Sequence, residues 1–463
     1  MNKKSKDNLI KEVFALAVPI MIQNGITNAA GLIDNLMVGS ISTEAMTAVS
    51  IASQLIFVFN LAIFGGMSGP GIYGAQYYGN NDTEGVRNVF RIKLWIGTIC
   101  TLIGIGVFFF FDRFLLGLYM TDIDSKINAA LTMEYAVKYL RIMLMGLAPF
   151  TVTQIYSTSL RETNESFKPM VAGLVSVVVN IFFNWLLIYG ELGFPKLGVE
   201  GAAIATVICR FAECAVAVIW PHIRVKEHEF LKGLYRTLFV RKEIVLPILK
   251  KSLPILLNEF LWAGGVAALT QCYSVKGLIV VTSINISNSL CNLLNVVFIA
   301  MGHAVGIIIG QYLGAGEFDK AKKKSVLLMW LTAGICVILS VALIALSGIF
   351  PNMYTSAEPD VKAAATKFII ITAFFFPLQG FLNSLYFTLR SGGKTLVTFL
   401  FDSCFSWVVS VPVAFVLSRF TGLNIYWIYA CVNALDLIKV IIGFILIKKG
   451  VWISNLVKDE GVA

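Results

Sequence analysis

Apolar residues in this chain lie in long runs and do not alternate with polar ones. A helix needs about 20 residues to cross a hydrocarbon core roughly 30 Å thick. Twelve runs meet that length: 13–38, 46–69, 92–112, 135–160, 168–190, 198–220, 251–272, 281–309, 325–349, 365–389, 396–418 and 424–447. A membrane barrel would instead show alternating segments of about ten residues, and none is visible. Gly and Pro interrupt several runs, which membrane helices tolerate because neighbours satisfy the freed backbone groups. The pattern predicts an all-α membrane protein with twelve transmembrane helices.

The runs also repeat. Val18-Pro19-Ile20-Met21 returns as Leu253-Pro254-Ile255-Leu256, and Gly74-Ala75-Gln76-Tyr77-Tyr78-Gly79 returns as Ile309-Gly310-Gln311-Tyr312-Leu313-Gly314, both at an offset of 235. Ser159-Leu160-Arg161 returns as Thr388-Leu389-Arg390 at an offset of 229, so the second copy lacks a few residues between its third and fourth helices. Two pseudo-symmetric six-helix lobes are expected: an N-lobe over 1–222, a cytoplasmic linker over 223–250 and a C-lobe over 251–463. An even number of spans per copy makes the repeat parallel. Transporters of that design hold substrate between the halves and alternate access by rocking them.

Composition agrees with the bilayer reading. The chain is 57% hydrophobic and 14% charged, against roughly 45–50% and about 25% in soluble domains. The net charge of +10 raises the question of a nucleic-acid partner, but its distribution answers it. The termini and the even-to-odd loops hold 26 Lys or Arg and the odd-to-even loops 9, with Arg210 and Lys439 inside helices. Positive loops stay cytoplasmic. Both termini are therefore expected in the cytoplasm, in a multi-pass protein of the inner or plasma membrane with no nucleic-acid partner. The first run continues past signal-peptide length, so it is expected to stay in the membrane. The eight cysteines form no CxxC pair and are expected to pack as small apolar residues.

A charge at the bilayer centre costs about 2.5–3.5 kcal/mol on insertion scales, so each one needs a reason. Seven are read as lying within the bilayer, away from the ends of the runs or the loops: Asp34, Arg210, Glu213, Glu259, Asp402, Asp436 and Lys439. Arg210 with Glu213 and Asp436 with Lys439 are three apart and are expected to neutralise each other. Asp34 has no basic neighbour on its helix. A buried carboxylate without a cation takes up a proton or recruits a metal ion, as a coupling-ion site requires; a hydrated carboxylate near the helix end is the plainer reading. Glu259 and its repeat mate Asn24 mark a polar face for substrate or ion contact, and Asp402 is either a third such contact or interfacial. Asn180 and Asn184 share a face of the fifth helix and offer hard oxygen ligands suited to Na⁺, with Thr206 adding a hydroxyl. The same residues serve equally as interhelical glue. No Walker A loop and no HExxH pair is present, so neither an ATPase nor another enzyme is expected, and an ion gradient must supply any energy.

These residues resemble the multidrug and toxic compound extrusion (MATE) family over nearly the whole chain. The resemblance is carried by Pro19–Gly39, with Asp34 fifteen residues after the proline, by Gly74–Gly79, by Leu160-Arg161, by Asn180–Gly190 and by Gly198–Thr206. It implies twelve helices in two lobes and export of cationic, amphipathic organic compounds in exchange for Na⁺ or H⁺, with no other cofactor. The family's first-helix carboxylate falls on Asp34, its fifth-helix Asn on Asn180 and its sixth-helix Thr on Thr206. Asn184 stands where many members have Asp. The acids of helices 7 and 10 in the drug/sodium branch fall on Trp262 and Gln379, while Glu259 lies about one turn before the expected acid. The implied coupling set is Asp34, Asn180, Asn184 and Thr206, and Na⁺, if it is the ion, would sit on the first three. Glu259, Gln379, Asn24 and Asp402 are the further candidates for substrate or ion. Partners are a small cationic substrate and membrane lipid, and a monomer suffices. A flippase for a lipid-linked substrate of the same superfamily is the alternative. A membrane enzyme and a channel fit less well, since no catalytic cluster and no pore-loop motif is seen.

Overall fold

The computed structural model describes residues 3–120, 128–354 and 357–459. Among these the chain is helical throughout, without strands. The long helices follow the apolar runs: α1 (Lys3–Gly39), α2 (Thr43–Gly79), α3 (Thr83–Phe110), α5 (Phe167–Tyr189), α6 (Val199–Ile223), α7 (Lys242–Ser274), α8 (Leu278–Gly314), α9 (Phe318–Ser347), α10 (Pro359–Ser391), α11 (Thr395–Phe420) and α12 (Ile425–Lys449). These eleven are each long and apolar enough to cross a membrane. The twelfth run, 135–160, forms α4 in two pieces, Ala129–Met143 and Leu147–Glu162, around a 3₁₀ turn at Leu144–Gly146. Pro149 lacks the N–H that would reach the Met145 carbonyl, so the winding changes there. The architecture is that of an all-α membrane protein with twelve spans in two six-helix lobes.

The chain divides into two compact units. One holds Val18–Gly74 and Thr83–Ile248; the other holds the chain before Val18, Ala75–Asp82 and the chain from Leu249 on. α1 is therefore divided beside Pro19 and α2 after Gly74, while most of the 223–250 segment packs with the first unit.

In the first unit α5 packs along α6, burying Leu186, Leu187 and Ala205. In the second, α8, α9 and α10 close around Leu290, Cys336, Leu343 and Phe376. All eight cysteines are free thiols.

The repeat extends to backbone conformation. Asn81 and Asn164 have positive φ at the turns after α2 and α4, and Gly316 and Gly393 have it after α8 and α10. These pairs stand at the same offsets of 235 and 229 as the sequence matches. The left-handed region is open to Gly and, at small cost, to Asn, so either residue ends the helix in the same way. Gly79 and Gly314 also correspond. A Cβ on Gly79 would overlap the Gln311 carbonyl, and one on Gly314 would overlap that of Gln76, so the end of α2 crosses α8 backbone to backbone.

α11 departs from regular winding. Leu400–Cys404 and Ser406–Ser410 are π-helical. Such stretches place side chains off the α-helical register and recur at functional sites; Asp402 lies in the first.

Candidate functional site

Asp34 stands in the last third of α1 and is half-buried. Asn180 and Asn184 project from one face of α5 and are buried, at 4% and 1% exposure. The Asn184 Nδ2 donates to Asp34 Oδ1 at 2.5 Å and to Asn180 Oδ1 at 3.2 Å. An amide can be turned over without changing its shape. With its nitrogen facing the carboxylate, Asn180 donates to Asp34 Oδ1 at 2.6 Å. The Asn184 Oδ1 is buried with no hydrogen-bond partner, although a buried acceptor without one costs about 1–3 kcal/mol. The group thus offers one carboxylate, two amide oxygens and a vacant lone pair: hard oxygen ligands of the kind small cations take.

No lysine or arginine forms an ion pair with Asp34 among the described residues. Its nearest ionisable company includes the Tyr139 hydroxyl, which has Asp34, Arg210, Thr206 and Ser53 around it. Thr206 donates to the Ala202 carbonyl at 3.0 Å on its own helix and shares a side-chain hydrogen bond with Tyr139, so it stands beside the Asp34 group without bonding to the carboxylate. Asn24, on the same unit, is half-buried and makes no recorded bond to this group.

Arg210 and Glu213 interact electrostatically, as their spacing predicts, without a direct ion-pair contact among the described residues. Arg210 donates to the Gly146 carbonyl at 3.3 Å and lies over the Phe150 ring at 4.9 Å. The 3₁₀ turn in α4 presents that carbonyl, and the ring face attracts the guanidinium, so both act on it together with the acid one turn away.

In the second unit every candidate acid has a basic partner. Glu259 lies 3.9 Å from Arg390, and Asp436 lies 3.2 Å from Lys439 as its spacing predicted. Asp402 accepts from Asn258 at 3.2 Å and lies 3.8 Å from Lys439. Asn258 also donates to the Tyr386 hydroxyl at 3.2 Å and accepts from Ser403 at 2.7 Å. Asp402 is therefore a member of an interior network joining α7, α10, α11 and α12. Gln379 donates weakly to Asn433, at 3.5 Å, and no recorded bond ties it to Glu259 or Asp402. Trp262 is exposed.

Two buried features escaped the sequence reading. Lys93 and Glu162 sit at the ends of apolar runs and look like loop charges. In the fold they form a fully buried ion pair, with Nζ 2.7 and 2.8 Å from the two carboxylate oxygens and 3.1 Å from the Ser159 hydroxyl. Arg161 donates to Gln23 at 2.5 Å. Here the repeat held the signal: Arg161 corresponds to Arg390 and Gln23 to Asn258, so in each copy an arginine ending the fourth helix reaches the polar pair on the first.

The family model described as MatE matches residues 19–186 and 254–416. The "Probable multidrug resistance protein YoeA" of Bacillus subtilis is 28% identical over 440 residues, covering 92% of this chain and 91% of the relative. The "Probable multidrug resistance protein NorM" of Thermotoga maritima is 23% identical over 439 residues, covering 91% and 89%. Among solved structures, the crystal structure of the Vibrio cholerae MATE transporter VcmN is similar in fold, with a TM-score of 0.86, 17% identity and coverage of 98% and 99%.

Proposed function

The chain belongs to the MatE family, and from that premise we propose that it is a cation-coupled antiporter that exports cationic, amphipathic organic compounds by alternating access. The observation that carries this reading is the Asp34 group: a carboxylate that Asn184 and the turned Asn180 amide bond to, with no basic partner and with the Asn184 oxygen unpaired among the described residues. The three acids of the second unit, Glu259, Asp402 and Asp436, stand beside Arg390 and Lys439, whereas Asp34 has no such neighbour among the described residues, and this contrast supports Asp34 as the group whose charge changes when an ion binds.

In the proposed cycle, Asp34 is ionised while the cleft faces the cytoplasm, and a lipophilic cation enters. Aromatic and Met side chains hold it loosely, at roughly 0.5–2 kcal/mol per ring contact. The lobes, 1–222 and 251–463, then rock outward. Na⁺ or H⁺ arriving from outside neutralises Asp34, and the cargo leaves. With one carboxylate, the site neutralises a single charge, so ion and cargo exclude each other electrostatically and exchange follows. Asn180 and Asn184 supply oxygen ligands when the ion is Na⁺ and orient the acid when it is H⁺. Thr206 and Asn24 of the first unit, and Glu259, Gln379 and Asp402 of the second, are assigned as further contacts for substrate or ion. Both termini lie in the cytoplasm of a cell membrane, and a monomer carries both lobes.

The flippase alternative draws no support from the second unit, because Arg390 and Lys439 face carboxylates and present no open site for a pyrophosphate. Proteoliposomes test the choice: a fluorescent lipophilic cation moves against its gradient when Na⁺ or pH gradients are imposed. No movement under either gradient, from folded protein, would turn the assignment to a lipid-like cargo.

A further inference from the structure

The segment between α6 and α7 is not a loose linker. Arg87 donates to the carbonyls of Glu229 and Phe230 at 2.9 and 3.2 Å, Arg91 to that of Leu234 at 3.1 Å, and Trp95 to that of Leu238 at 3.0 Å. The donors recur every four residues on one face of α3, and the acceptors recur every four residues along the segment. The segment therefore runs alongside α3, from Arg87 towards Trp95, over about 12 Å at 1.5 Å per residue. On the side facing the bundle, Phe230, Leu231 and Leu234 are buried. The Tyr235 hydroxyl bonds to that of Tyr156, and its ring stacks on His222.

Irregular backbone at membrane depth is tolerated only when its polar groups are satisfied by protein. A row of side-chain donors aimed at successive carbonyls does this. The far end of the segment is apolar and uncovered: Leu238 is 45% exposed, Phe239 75% and the adjoining Trp95 53%. In sequence the tip is flanked by the exposed cations Arg236, Arg241 and Lys242, with Lys232 exposed nearer the start of the segment, none in an ion pair among the described residues. The carboxylate at the start of the segment, Glu227, is already taken by Lys168 and Arg224. Glu229 and Glu243 are the other acids of the segment. An apolar tip with aromatic flanks and unpaired cations fits the boundary between acyl chains and anionic headgroups.

We propose that residues 229–242 form an interfacial shelf that binds an anionic phospholipid of the cytoplasmic leaflet, with Leu238 and Phe239 among the acyl chains and Arg236, Arg241 and Lys242 on the phosphate. This surface is separate from the Asp34 group and does not depend on which ion drives transport. It goes beyond the general excess of positive charge on one side of the membrane, because a fixed apolar tip places particular cations at headgroup depth.

The test uses the full-length protein in phosphatidylcholine vesicles containing a small fraction of spin-labelled phosphatidylglycerol or spin-labelled phosphatidylcholine. The shelf predicts that the protein immobilises phosphatidylglycerol several-fold in preference to phosphatidylcholine. In Arg236→Gln/Arg241→Gln/Lys242→Gln the preference falls at least threefold. In Lys320→Gln/Lys322→Gln/Lys323→Gln, which removes equal charge from the first turns of α9, it stays within about 1.5-fold of the parent. Each protein is first shown to elute as a single species. Phe239→Trp gives a second readout: the fluorescence it adds to that of the parent's eight tryptophans is quenched more by brominated phosphatidylglycerol than by brominated phosphatidylcholine, and equal quenching by the two lipids would count against the shelf. Equal loss in both triple variants, or no preference in the parent, would overturn the proposal.

Discussion

The Asn184 amide donates to the Asp34 carboxylate at 2.5 Å, joining two positions 150 residues apart in sequence. An amide fixes the carboxylate's direction without cancelling its charge, so the site is shaped for a cation that comes and goes. Removing such a bond costs about 1–3 kcal/mol, and 1.4 kcal/mol is a factor of ten in binding. In Asn184→Ala the concentration of driving cation for half-maximal efflux should rise roughly tenfold, with the maximal rate less affected. A titration of efflux against external Na⁺ or H⁺ measures this. An unchanged half-maximum would remove Asn184 from the ion site.

Lys93 and Glu162 form a structural pair. Breaking one partner of a buried ion pair is destabilising by about 3–5 kcal/mol, whereas replacing both by apolar residues is often neutral. Lys93→Met should therefore lower the melting temperature of the purified protein sharply, and Lys93→Met/Glu162→Leu should recover most of the loss. Thermal unfolding of the parent, both singles and the double forms the cycle. Additive losses would show that the two residues act independently.

Gln76 fastens the end of α2 to the C-terminal segment. Its Nε2 donates to the Ser391 carbonyl at 2.9 Å, its Oε1 accepts from the Leu456 N–H at 2.8 Å, and the side chain is fully buried. Gln76→Ala leaves that N–H and carbonyl without these partners. Hydrogen exchange at Leu456 should accelerate by at least tenfold, while exchange in the middle of α10 stays as in the parent. Equal rates at Leu456 in both proteins would count against the fastening.

His228 supplies a pH dependence outside the spans. It is buried beside the Lys168 ammonium, whose Nζ lies 2.6 Å from its Nε2, with Glu165 and Glu227 also nearby and the Phe230 ring against it. Burial first, and then the Lys168 charge, hold its pKa below the ordinary 6.5. The folded chain thus resists the proton that the unfolded chain accepts. Stability is full above about pH 6.5 and falls as the pH drops through that value towards the lowered folded pKa. Melting curves between pH 8 and pH 5 should show this loss in the parent and a smaller one in His228→Gln. Identical slopes would mean that other groups carry the acid sensitivity.

The spans were legible because membrane helices advertise themselves by length and apolarity. The 135–160 run is a span as well, but hydropathy does not register the change of winding before Pro149. Asp34 was legible because an unpaired acid stands out in an apolar run, and Asn184 because four-residue spacing on one helix fixes a shared face. Lys93–Glu162 was not, since no local spacing links residues 69 apart. For Arg210 the spacing shows the acid neighbour on the same helix, and no local pattern shows the Gly146 carbonyl that α4 brings to it.

The central claim is that the charge of Asp34 couples ion to cargo. The most direct test is efflux of a fluorescent lipophilic cation from proteoliposomes, under Na⁺ and pH gradients imposed separately, for the parent and for Asp34→Asn at matched expression and monodispersity. The account predicts transport driven by at least one gradient in the parent and a fall of more than tenfold in Asp34→Asn. Gradient-driven efflux that persists undiminished in Asp34→Asn would contradict it.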